Sequence, residues 1–201
     1  MKFTGKPLRW LDFDVECRPL SYLGQDFTTG QITAIAAAWI VDGKPVDLDV
    51  RVLSKRETTY KKMLEWFVDL YHQADGVTGH YIRGFDLPVI NGALLDLKME
   101  PLSDKLTHDT KSDMLRRKYM SVSQENLGAL FGLDAPKVQM NTPKWREANR
   151  LTNGGIDLTV ERVVGDVVQH IELREALLKA GWLGAPKIWR SSGVNSPRYV
   201  G

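Results

Sequence analysis

The stretch Leu11-Asp12-Phe13-Asp14-Val15-Glu16-Cys17 decides the fold. Apolar Leu11, Phe13, Val15 and Cys17 alternate with acidic Asp12, Asp14 and Glu16. Alternation with period two is the pattern of a strand with one apolar and one acidic face. Asp14 and Glu16 then point the same way, about 7 Å apart at Cα for a rise of roughly 3.3 Å per residue. Two carboxylates so placed suit a hard divalent cation, which takes oxygen ligands. The plainer reading is a half-exposed strand with a solvated acidic face.

Outward from this stretch, Arg18–Gly30 carries Pro19, Gly24 and Gly30 and reads as a loop. Ile32–Val41 is apolar. Its alanine run suits a helix, but Asp42-Gly43 is a hairpin turn signal. Beyond the turn, Val46, Leu48, Val50 and Val52 alternate with Asp47, Asp49 and Arg51. Three strands are therefore expected: Trp10–Cys17, Ile32–Val41 and Val46–Leu53. The period then changes to helical over Glu57–Ala74, with Met63, Trp66, Phe67, Leu70 and Tyr71 on one face. Gly76–Gly79 is a short buried strand. Phe85–Leu97 is a helix with Pro88 in its first turn, and Leu106–Thr110 is a last short strand. Ser123–Phe131 is a helix stopped by Gly132. Lys137–Arg150 reads as a loop or broken helix, and Leu158–Ala180 as a long helix. The expectation is an α/β domain with a mixed five-stranded sheet flanked by helices over residues 1–180, then an irregular C-terminal tail over 181–201.

The chain has 201 residues and a net charge of +2, too small for bulk attraction to polyanions. Any nucleic-acid contact must come from local patches. Cys17 is the only cysteine, which excludes an internal disulfide and is compatible with a reducing compartment. No apolar run reaches the ~18 residues of a membrane span, and Met1–Trp10 lacks the apolar core of a secretory signal. A cytoplasmic protein without a membrane partner is expected.

Two further acids can join Asp14 and Glu16. Asp86, in Phe85-Asp86-Leu87-Pro88, opens a helix after a short strand. It is either an N-cap or a ligand. Asp166, in Val163-Val164-Gly165-Asp166-Val167-Val168, is a carboxylate among apolar residues, costly to bury without a metal or cation. His72, His80 and His108 have no metal-ligand spacing.

The order D-x-E on a first strand, F-D opening a helix, and D in a late helix resembles the DEDD superfamily of 3′–5′ exonucleases. That superfamily has the ribonuclease H-like fold and includes polymerase proofreading domains. The resemblance runs from about Leu11 to Leu178 and includes Gly79-His80, Phe85-Asp86-Leu87-Pro88 and the helix Glu125-Asn126-Leu127-Gly128-Ala129-Leu130. It implies a 3′–5′ exonuclease acting on single-stranded DNA or RNA 3′ ends, with a polymerase or replication protein as a possible partner. It implies that Asp14, Glu16, Asp86 and Asp166 hold two Mg2+ or Mn2+ ions, one activating water and the other stabilising the leaving 3′ oxygen. Tyr81 and Phe85 would contact the substrate. Arg116 and Arg117, in the basic cluster Leu115–Tyr119, would hold phosphates or form a solvated face.

The chain departs from the family where the water is handled. The family has a tyrosine four residues before its last Asp, or a histidine five before it; here stand Arg162 and Glu161. Arginine cannot act as a base. His170, four residues after Asp166 and on the same helical face, is the candidate substitute. At Tyr81 the family often has asparagine; a tyrosine there stacks on a base or packs. In the tail, Lys179, Lys187, Arg190 and Arg198 mix with Trp182, Trp189 and Tyr199. That mixture suits single-stranded nucleic acid or tryptophans packed back on the domain. The alternative function is a non-catalytic nucleic-acid-binding or polymerase-docking module on the same fold.

Overall fold

A computed structural model describes residues 7–20, 28–54, 59–133 and 138–191. Arg198 and Tyr199 lie outside them, as does Glu57, the expected first residue of the first helix. The chain runs β1 (Trp10–Pro19), β2 (Gly30–Val41), β3 (Lys44–Val52), α1 (Tyr60–Gln73), β4 (Gly76–Gly79), α2 (Asp86–Asp96), β5 (Lys105–Asp109), α3 (Gln124–Phe131), α4 (Thr142–Asn149), α5 (Asn153–Lys179) and β6 (Lys187–Trp189). The fold is α/β, of the ribonuclease H-like class, with strand order β3-β2-β1-β4-β5-β6.

The acidic strand is the centre of the sheet. β1 pairs antiparallel with β2 and parallel with β4. The Asp42-Gly43 turn has positive φ at both residues, the geometry that matches strand twist in a tight hairpin, and joins β2 to β3. Both sheet faces are covered. Leu11, Phe13 and Val15 pack with Ile35, Phe67, Tyr71, Ile90 and Leu94 beneath α1 and α2. On the opposite face, Ala34, Ala36 and Ala38 of β2 meet Val163, Val167 and Ile171 of α5. The small alanines let the helix lie close to the sheet, which explains why a strand carries residues that suit a helix. The acids of β1 belong to this second face, so they lie under α5. Asp12 is 0% exposed and Glu16 8%. The solvated acidic face considered from the alternation is therefore corrected: the period was right, but a helix covers the polar side.

Two further corrections concern the C-terminal half. Among the described residues the sheet has six strands where five were expected, because Lys187–Trp189 adds an antiparallel strand to β5. Three residues are too short a run for periodicity to register, and the pairing is made by β5's open edge. The stretch read as a loop or broken helix contains α4, capped by Asn141, whose side chain accepts from the Lys144 N–H. Only Ala148 of α4 is buried, so no apolar stripe marked it. α5 begins at Asn153, earlier than the expected Leu158, capped by Thr152. No helix among the described residues is long and apolar enough to cross a membrane.

Candidate metal centre

The parity of β1 sends Asp14 and Glu16 toward α5, and α5 returns Asp166 to them. One carboxylate oxygen from each of Asp14, Glu16 and Asp166 lies within 4.8 Å of the others. They line an open cleft of about 340 Å³, together with Asp86, His80, Tyr81, Phe85, Lys111, Ser123, Gln124 and Arg162. Four acids separated by up to 152 residues thus share one depression.

The residue that the sequence reading undervalued is Arg162. One helical turn before Asp166, it places Nη2 3.2 Å from Asp166 Oδ2. Its Nε donates to Glu16 Oε1 at 2.6 Å, and its Nη1 donates to the Val138 carbonyl at 3.1 Å. The guanidinium also sits 5.3 Å from the Trp145 ring of α4. This cation compensates the burial of two carboxylates, which would otherwise be costly. The i,i+4 spacing of Arg162 and Asp166 was the readable signal.

Asp86 is the first residue of α2 rather than its cap; Phe85 holds the cap position. Asp86 is buried, and desolvation pushes its carboxyl up to about 7. Its own N–H and the Val15 N–H oppose the rise, and Asp109 and Glu16 add to it. Its carboxylate lies outside the close group of three. Tyr81 and Phe85, 41% and 46% exposed, form the cleft's aromatic rim. Tyr81 has φ +73, held by Asp109, whose carboxylate accepts from the N–H groups of Tyr81, Arg83, Lys111 and Ser112. Lys111 Nζ lies 3.9 Å over the Tyr81 ring. Gly84 fits beneath it only because it lacks a Cβ, which would come within 2.4 Å of the ring's Cζ. Phe85 is also a wall of a neighbouring apolar groove of about 580 Å³, lined by Cys17, Ile32, Tyr60 and Val89.

Other expected residues lie elsewhere. His170 is 2% exposed and outside the cleft lining. Its Nδ1 is 2.5 Å from Asp12 Oδ2 and its Nε2 2.9 Å from Thr110 Oγ1, so both ring nitrogens are engaged within the fold. Thr110 Oγ1 is in turn 2.9 Å from Nδ1 of His80, which does line the cleft. Glu161 is exposed and is not part of the lining. Arg117 turns inward and donates to the carbonyls of Lys111, Met114 and Leu115. Arg116 is exposed away from the cleft lining. In the tail, Lys187 pairs with Asp113, Arg190 pairs with Asp104, and Trp189 packs on the core.

The donor set fits a divalent cation. Oxygens bound at about 2.0–2.6 Å around one ion lie at most about 5 Å apart, and the three carboxylate oxygens meet that span. All donors are hard oxygens, as Mg2+ and Mn2+ prefer.

No family model matches the sequence. No curated protein matches it either. Among solved structures, the chain is similar to the family B DNA polymerase from the hyperthermophilic archaeon Pyrobaculum calidifontis, with a TM-score of 0.62 and 16% identity. The match covers 89% of this chain and 25% of the polymerase, so the chain spans about a quarter of that protein's length. At this identity the likeness establishes a shared fold.

Proposed function

We propose that this chain is a divalent-metal-dependent 3′–5′ exonuclease acting in the cytoplasm on single-stranded 3′ ends of DNA or RNA. The observation that carries the reading is the convergence of Asp14, Glu16 and Asp166 to within a single ion's span, with Asp86 in the same cleft. The likeness to a polymerase fold and the DEDD-like order of motifs support it.

In this reading Asp14, Glu16 and Asp166 hold the metal, and Asp86 adds a fourth carboxyl beside them. The metal, when bound, acidifies a water and neutralises charge on the scissile phosphodiester. Lys111, at the cleft wall, draws the phosphate backbone in. Tyr81 and Phe85 offer exposed ring faces on which unpaired bases stack. The apolar groove behind Phe85 has room for the terminal base. His170 is too deeply engaged with Asp12 and Thr110 to take a proton from a water in the cleft.

A second reading, a non-catalytic nucleic-acid-binding or polymerase-docking module, is favoured by one observation: Arg162 already neutralises Glu16 and Asp166. The two separate on a 5′-labelled single strand incubated with Mg2+ or Mn2+. The exonuclease shortens it stepwise from the 3′ end, and Asp14→Ala, which removes a proposed ligand, leaves no ladder. Strand binding with no shortening under either metal supports the module instead.

A further inference from the structure

We propose that Arg162 stands in for one of two cations, so that the cleft takes a single divalent ion per chain. The inference rests on the metal reading of Asp14, Glu16 and Asp166 and concerns how many ions that site accepts.

A cluster of carboxylates needs positive charge to exist, and ordinarily a pair of ions would supply it. Here a guanidinium supplies part of it permanently, because arginine stays protonated at any working pH. Arg162 is fixed on three sides. Glu16 Oε1 and Asp166 Oδ2 accept from one edge of its fork, and the Val138 carbonyl accepts from Nη1. The Trp145 ring adds a cation–π contact. With its side chain 16% exposed, the group is anchored between α5 and the segment leading into α4. It lies across the Glu16–Asp166 side of the cluster and takes one oxygen of each, leaving each carboxylate one oxygen for a first ion and none for a second. The three carboxylate oxygens, within 4.8 Å of one another, fall inside the coordination span of one ion.

Arg162 thereby sets metal stoichiometry. The test counts bound Mn2+ by the loss of the free-ion electron paramagnetic resonance signal, at neutral pH and low salt. Wild type and Arg162→Lys each take one Mn2+ per chain. Arg162→Met takes two and binds the first at least about tenfold more tightly. Circular dichroism checks that each variant is folded. Melting adds a second readout: chelator barely moves the wild-type midpoint, whereas Arg162→Met falls in chelator and recovers with Mn2+. Two ions in the wild type, or one ion at unchanged affinity in Arg162→Met, overturns the role of Arg162 and leaves the metal site standing. No Mn2+ bound by any of the three proteins overturns the metal reading and this inference with it. The count needs no nuclease activity, so loss of the exonuclease reading alone leaves it intact.

Discussion

At the scale of single residues, two groups of the cleft, His80 and Asp86, are held away from their ordinary ionisation. His80 is the clearest for a pH test. Burial, with His170 nearby, pushes its imidazole down to about 3. The unfolded chain takes up that proton near pH 6.5, and the folded chain does not. Stability from His80 is therefore present above about pH 6.5 and is lost as pH falls toward 3. Asp86 runs the other way: its raised carboxyl favours the fold below its ordinary value near 3.8, and this is lost as pH rises toward about 7. The two slopes oppose each other, so the informative quantity is a difference. Between about pH 7 and about pH 5, the melting midpoint of the wild type should fall further than that of His80→Gln. Parallel profiles would discard this account. The four acids were legible as candidates because each stands out against an apolar neighbourhood. His80 was not, since a histidine in a turn has no spacing that marks it.

At the scale of elements, β2 and α5 depend on each other. The alanines at 34, 36 and 38 are 0% exposed beneath α5. Ala36→Leu inserts a branched chain where no space exists and should cost about 1–3 kcal/mol. A shift in denaturant midpoint measures it, and an unchanged midpoint would show that the helix is not packed as described. The same change should weaken Mn2+ binding, because α5 carries Asp166 and cannot retreat without taking it along. The hairpin was readable from strand alternation and its Asp42-Gly43 turn, α1 and α2 from helical spacing, and α3 from its cap and the Gly132 stop. α4 was legible only as one of two alternatives, a loop or a broken helix, because a helix that buries only Ala148 shows no apolar stripe.

At the scale of the whole molecule, residues 181–191 are part of the fold. Gly184 N–H donates to the Asp113 carbonyl, and Thr107 Oγ1 donates to the Lys187 carbonyl. Lys187 Nζ is 2.9 Å from Asp113 Oδ1, a carboxylate also held by Arg83. A chain ending at Ala180 should lose on the order of 3 kcal/mol, at about 1 kcal/mol net per hydrogen bond. Faster amide exchange in β5 would report it, and unchanged exchange would count against it. The sequence by itself determined the order of strands and helices, the acidic strand at their head and the acids able to serve a metal, because periodicity and residue chemistry are local. Tertiary structure alone decided that the acidic face is roofed by a helix, that His170 turns to Asp12, and that Arg162 lies between two of the carboxylates. Those outcomes depend on which surfaces meet across more than a hundred residues of chain, and that is settled by packing and charge pairing in the assembled fold.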